Sequence, residues 1–368
     1  MSFTIKSLSV TYDEINESNT FTCGDCISGH VTLEVTKETK INYFKVKAKG
    51  EARVSWSDDV GPINHYYSNN ETYFKLTEYF MQKKKDEGQD GIPLLTDQAG
   101  KPYSNTLAPG CHLFPFSFHL PQADLPPSFK GVHCKIVYYL EAKLSRSMRI
   151  PSKARTEFTY VSKLDPNHRA LQLVQQDFKE EKLFLNNGSV SMDISIDNTE
   201  YSLGEGITVT GRIENNCSRP AKPIYCLYQK QSCFADKERK VNTRDILKEE
   251  GDLVEPSTST AVTKVLSIPC NISTTVLNSN ILAIEYRLRV YLDVKFGFGP
   301  IIKFQVGLLP PRLGSGWRPL PQDGDSSDME ASGGNSQEES YTFSYSDSPP
   351  PYSECEKYPS CSDAALKE

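Results

Sequence analysis

A stretch of this chain occurs twice, and the repeat bounds the fold more tightly than any other feature. Phe21 to Glu34 reads FTCGDCISGHVTLE, and Tyr201 to Glu214, 180 residues further on, reads YSLGEGITVTGRIE. The register pairs Gly24 with Gly204, Asp25 with Glu205, Ile27 with Ile207 and Leu33 with Ile213. Each copy opens with a Gly-acid turn, where glycine supplies a positive φ without a Cβ clash, and continues as an alternating run that suits a half-buried strand. A second echo has a spacing of 148: Ile136, Tyr138, Leu140, Ala142 and Leu144 match Ile284, Tyr286, Leu288, Val290 and Leu292. In the same frame Phe118-His-Leu-Pro121 falls on Leu266-Ser-Ile-Pro269. Matching at every second position is what a sheet with one buried face requires. The chain therefore reads as two related β domains in tandem, the first carrying a net 32 extra residues between Glu34 and Phe118.

Length and composition agree. At 368 residues there is room for two domains, each able to bury roughly 70% of its unfolded surface without disulfide support. The start, MSFTIKSLSVTYDEINE, lacks the basic and apolar segments of a secretory signal, and no apolar run approaches the ~20 residues of a membrane span. The expectation is a cytoplasmic protein. Ten cysteines and five N-x-[ST] sequons, at Asn16, Asn70, Asn187, Asn216 and Asn271, would suit a secreted sandwich. In the cytosol such thiols stay reduced and the sequons idle. Net charge is −6, but Leu320 to Glu368 holds eleven acidic residues against Lys357 and Lys367, so an acidic tail of −9 follows a mildly basic body. Basic surface on that body suits anionic partners.

In chain order, Phe3 to Tyr12 reads as a strand, and Ile41–Gly50 and Glu51–Trp56 as two more. Lys45, Lys47 and Lys49 project from one face of the first of these as a solvated or edge-protecting row, with phosphate binding as the alternative. Aromatic residues from Tyr66 to Phe80 suggest further strands, with Gln82–Gly91 a charged turn. Phe114, Phe116 and Phe118 alternate onto one face, and Pro121, Pro126 and Pro127 hold an extended crossing segment. Val161 to Lys182 reads as a linker, interrupted by Pro166 and Asn167. Val190, Met192, Ile194 and Ile196 open the second domain. The expected organisation is a first domain at 1–162, a linker at 163–184, a second domain at 185–308 and a tail at 309–368. From Pro310 onward the chain is too poor in apolar residues to fold.

The run Leu107 to Leu144, LAPGCHLFPFSFHLPQADLPPSFKGVHCKIVYYLEAKL, carries a family resemblance. Its Pro-Gly turn, FPFSF strand, Leu-Pro pair, PxSFxG and I-x-Y-x-L-x-A resemble the N-terminal domain of the arrestin fold as it occurs in alpha-arrestins, the arrestin-domain-containing proteins. The second domain, with its Ser-Leu-Gly-Glu turn and Ser218-Arg-Pro220 loop, is similar to the arrestin C-terminal domain. The resemblance covers Phe3 to Leu308. It implies an all-β fold: two tandem arrestin-like, immunoglobulin-like β-sandwiches followed by a disordered acidic tail.

Within that tail Pro349-Pro350-Pro351-Tyr352 matches PPxY. Consecutive prolines pre-set a polyproline II segment that docks in the aromatic slot of a WW domain with little loss of entropy, and the tyrosine fills a neighbouring pocket. Alpha-arrestins use such motifs to recruit HECT-type ubiquitin ligases. The resemblance therefore implies a non-catalytic cytoplasmic adaptor, recruited to the plasma membrane and endosomes, that brings a WW-domain ligase to the cytoplasmic tails of receptors or transporters. Pro349, Pro350 and Tyr352 would bind the WW domain, while Ser346 and Ser348 are candidate phosphorylation sites beside them. Anionic lipid is a further expected contact, and nucleic acid is not. A single motif gives no bivalent gain.

Signals for an enzyme, a cofactor or a metal are lacking. His30, His65, His112, His119, His133 and His168 show no paired-ligand spacing, and no P-loop, GxSxG or GxGxxG motif occurs. Cys23-Gly-Asp-Cys26 is a lone CxxC whose twin is Leu203-Gly-Glu-Gly206, so the frame exists for the turn rather than for sulfur chemistry. Two rival functions follow from the same resemblance. One is a thioredoxin-binding redox regulator, which draws attention to Cys217, Cys226 and Cys233 without assigning any of them a role; separately, Cys355 and Cys361 in the tail are accessible to acylation or oxidation. The other is a retromer-like coat subunit.

Overall fold

The computed structural model describes residues 4–60, 63–82, 94–97, 99–162, 174–183, 188–295 and 297–311. Among these residues the secondary structure is entirely β. The first half contributes β1 (Ile5–Tyr12), β2 (Thr20–Phe21), β3 (Cys26–Val35), β4 (Thr39–Lys40), β5 (Tyr43–Val60), β6 (Ile63–Gln82), β7 (Thr106–Leu107), β8 (Gly110–His119), β9 (Phe129–Lys130), β10 (Cys134–Ser145) and β11 (Ser152–Tyr160). One sheet runs β1-β3-β8, and the facing one runs β2-β11-β10-β5-β6 with β9 beside β10. Inner faces meet where Phe44 of β5 packs edge-on against Phe114 of β8, ring centroids 5.0 Å apart. Phe114, Phe116 and Phe118 are all buried, on the one face their alternation specifies.

The second half contributes β12 (Gln175–Leu183), β13 (Gly188–Ile196), β14 (Glu200–Ser202), β15 (Gly206–Asn215), β16 (Ala221–Ala235), β17 (Glu238–Glu250), β18 (Thr258–Ser267), β19 (Leu282–Val294) and β20 (Gly297–Leu309). Its sheets are β12-β13-β15-β18 and β14-β20-β19-β16-β17. Apart from β12 here and the short β4, β7 and β9 there, this repeats the order of the first sandwich, down to the short parallel pairing of β2 with β11 and of β14 with β20. The sequence echo is a structural one: shifted by 180, β3 lands on β15, and shifted by 148, β8 lands on β18.

The repeated turns are built alike. Gly24 and Gly204 hold φ at +77° and +89°, values that a Cβ would strain. The Asp25 carboxylate accepts the Thr22 amide at 2.7 Å, and the Glu205 carboxylate accepts the Ser202 amide at 2.8 Å. Tyr138 and Tyr286, the paired aromatics of β10 and β19, are fully buried. Each hydroxyl donates to a backbone carbonyl at 2.6 Å, that of Pro126 or Ser273, so the crossing segment is tied down by the strand it covers.

Two strand expectations are corrected. Ile41–Gly50 and Glu51–Trp56 do not form separate strands; β5 is continuous and pairs with β6 through a bulge between Gly50 and Glu51. The second half of the segment read as a linker is a strand, β12, paired with β13 from Gln175↔Ile196 to Leu183↔Gly188. Its side chains are almost all exposed, as an edge strand's can be, so it lacks the alternation that marks a buried face. The expected charged turn at Gln82–Gly91 lies, from residue 83 on, outside the described residues.

Candidate adaptor surfaces on the two-domain body

Pro349, Pro350, Tyr352, Ser346 and Ser348 all lie outside the described residues, as do Cys355 and Cys361. The geometry therefore bears on the body alone. Here the lysine row departs from expectation. β5 is an interior strand, flanked by β10 and β6, so it protects no edge. Lys47 pairs with Glu141 at 2.9 Å and Lys49 with Glu51 at 2.5 Å, while Lys45 lies over the rings of Tyr43 and Tyr79 at 5.6 and 5.2 Å. Two of the three charges are neutralised within the sheet, and among the described residues Lys45 has tyrosine contacts but no carboxylate partner. Glu51 is buried; burial works against its charge, but the Lys49 ammonium and Arg53 guanidinium outweigh this and hold the carboxyl below its ordinary value. Alternation shows which face the lysines share but not the acids opposite them.

Polar contacts join the two sandwiches. The Glu71 carboxylate on β6 accepts from the Ser279 hydroxyl at 2.7 Å, the Asn280 amide at 3.0 Å and the Asn280 side chain. Lys240 on β17 meets Asp58 on β5 at 2.5 Å, and the Asn278 side chain donates to the Asp124 carbonyl at 3.1 Å. Cys134 at the start of β10 and Cys233 near the end of β16 are both buried at this seam. The neighbouring Cys233 thiol and burial both push the Cys134 thiol up. Beside the seam a cleft of about 680 Å³ is lined by Asp124, Pro127 and Ser162 from one sandwich and by Gln175, Thr275 and Tyr286 from the other. Sequence reasoning found none of these contacts: Asp58 and Lys240 are 182 residues apart, and no local pattern relates them.

Among the described residues no three His, Cys, Asp or Glu side chains gather as a metal site, and no helix is long and apolar enough to cross a membrane. Cys26 begins a strand, its sulfur 3.0 Å from the Ser117 hydroxyl, which is not the helix N-terminus that CxxC redox chemistry uses. Residues 8–167 match the family model for the N-terminal domain of arrestin (or S-antigen), and residues 186–309 match the model for its C-terminal domain. The chain belongs to the arrestin family. Within that family it is an alpha-arrestin, similar to arrestin domain-containing protein 4 of Homo sapiens, with 27% identity over 79% of this chain and 68% of the relative. The Mus musculus protein of that name gives the same figures. The thioredoxin-interacting protein of Rattus norvegicus is 25% identical over 79% of this chain and 70% of its own. In this arrestin the twin sandwiches are joined through the contacts of Glu71, Asp58 and Asp124, and membership of the family supports an adaptor-like role with protein partners.

Proposed function

We propose that this arrestin is a cytoplasmic adaptor that links membrane-protein cargo to a WW-domain HECT-type ubiquitin ligase, promoting ubiquitination, endocytosis and endosomal sorting. The observation that carries the reading is the pairing of two arrestin domains with Pro349-Pro350-Pro351-Tyr352 in an acidic tail. The body engages the cytoplasmic tail of a receptor or transporter at the plasma membrane or endosome. The tail holds the ligase, and tethering raises its effective concentration at cargo lysines. Pro349 and Pro350 occupy the aromatic slot, Tyr352 the adjacent pocket, and phosphorylation of Ser346 or Ser348 tunes the fit. Titration of the full chain and its Pro350→Ala/Tyr352→Ala variant against a panel of WW domains tests this by fluorescence anisotropy. Binding at about micromolar Kd, abolished in the variant, is the expected result. An unchanged variant overturns it.

A second reading rests on the similarity to a protein named for its interaction with thioredoxin. It makes the chain a thiol-based regulator and predicts a mixed disulfide with thioredoxin. Non-reducing electrophoresis without such an adduct removes it.

A further inference from the structure

The hairpin joining β10 to β11, Arg146 to Pro151, is unlike the rest of the described surface. Met148 is 100% exposed, at a positive φ of 55°, and Ile150 is 90% exposed. No other large hydrophobic side chain among the described residues is as open to water as either. From Ala142 to Thr156 the chain carries Lys143, Arg146, Arg149, Lys153 and Arg155 and no acid. Arg155 is engaged with Glu157 and stacked 3.6 Å over the Tyr139 ring. Lys143 and Lys153 face each other in register across the strand pair, and Lys45 lies opposite Lys143 on β5. Among the described residues no carboxylate lies within ion-pair reach of Lys143, Arg146, Arg149 or Lys153. The Nε of Arg146 is buried without a hydrogen-bond partner. Its guanidinium is disfavoured by burial and by the charge of Arg149 beside it. Among the described residues the tip is thus a positive cluster without ion-pair partners, Lys143 lying 5.9 Å from the centre of the Tyr43 ring, with two bare apolar side chains at its apex.

We infer that the β10–β11 tip is a membrane-docking element: Met148 and Ile150 enter the acyl boundary of an anionic bilayer, while Lys143, Arg146, Arg149 and Lys153 sit among its headgroups. The shape decides between a bilayer and an acidic protein. A fully exposed side chain on a turn offers no groove, so a protein partner would have to bring its own pocket. A bilayer provides negative charge at its surface and apolar depth directly beneath it. The inference locates the membrane contact of the adaptor proposed above and rests on that reading only for its biological purpose. WW-domain binding is measured without lipid, so either result stands if the other fails.

The test is co-sedimentation of the full chain with vesicles of phosphatidylcholine alone or with phosphatidylserine. Binding is expected to the anionic vesicles and not to the neutral ones, and to weaken steeply with salt. Met148→Ser/Ile150→Ser is expected to weaken it at least about tenfold, since burying such side chains dominates insertion. Arg146→Gln/Arg149→Gln/Lys153→Gln is expected to weaken it more than tenfold at low salt. All five positions except Arg146 are exposed, so the fold should persist; unchanged circular dichroism and retained WW binding check this for each variant. Failure of the full chain to bind phosphatidylserine vesicles overturns the inference. So does binding that survives the double serine substitution, or competition by soluble polyglutamate that depends equally on Met148 and Ile150, which would assign the tip to an acidic protein.

Discussion

Glu71 is where the joining of the two sandwiches is most open to measurement. It sits half-buried on β6 and holds a loop of the second sandwich by accepting from Ser279 and twice from Asn280. Hydrogen bonds to a charged group are worth about 1.5–3 kcal/mol each when well desolvated, and less at an edge where water competes. Asn280 is exposed and Ser279 half-buried, so the low end of one such bond plus partial worth for the others gives about 2 kcal/mol for the whole clasp. Glu71→Ala removes it all, and Glu71→Gln keeps one acceptor and about half the effect. The readout is hydrogen exchange of the Asn280 amide, which donates to Glu71. A loss of 2 kcal/mol in local opening free energy speeds its exchange about 30-fold. Urea unfolding provides a global companion, although two domains need not unfold in one step. If Glu71→Ala leaves exchange at Asn280 within about twofold of the parent, the carboxylate does not hold the seam.

Three other outcomes are expected. Glu51 titrates below its ordinary 4.5, so its ion pairs stabilise the folded state above that value, and the stability is lost as pH falls through the lowered one. Glu51→Gln should cost at most about 3 kcal/mol at pH 7, and the gap from the parent should narrow by pH 3 in denaturant titrations; an equal gap at both pH values refutes this. Tyr138→Phe loses one buried donor and should cost about 1 kcal/mol, whereas Tyr286→Phe also strips an acceptor from Gln229, which donates to it at 2.6 Å, and should cost about 2. Equal losses would deny the Gln229 contact its weight. Under iodoacetamide, exposed Cys111 and Cys270 should be modified well before buried Cys134, Cys217, Cys226 and Cys233, which react only on unfolding, as read by peptide mass; fast labelling of Cys233 in the native chain would contradict its place at the seam.

What was legible in the sequence was whatever depends on local repetition. Alternation at every second residue states which side of a strand is buried, so the faces of Phe114 to Phe118 and of Val190 to Ile196 were fixed without knowing any partner. A positive φ is a property of one residue, which is why the Gly24 and Gly204 turns could be read from their glycines. The PPxY motif was legible for a related reason: a polyproline segment is shaped by its own rings. Tertiary structure alone decided the rest, because period two names a face and not what lies across it. Lys47 reads as a surface cation until Glu141 is set beside it on the neighbouring strand. Gln175 to Leu183 reads as a linker because an exposed edge strand is held by backbone hydrogen bonds to β13, and these leave no mark on the side-chain pattern. Asp58, Glu71 and Cys134 acquire meaning only when a second sandwich, far along the chain, is folded against the first. Met148 and Ile150 are the converse. Nothing local separates them from the apolar residues of a core, and only the finished hairpin leaves them standing in water.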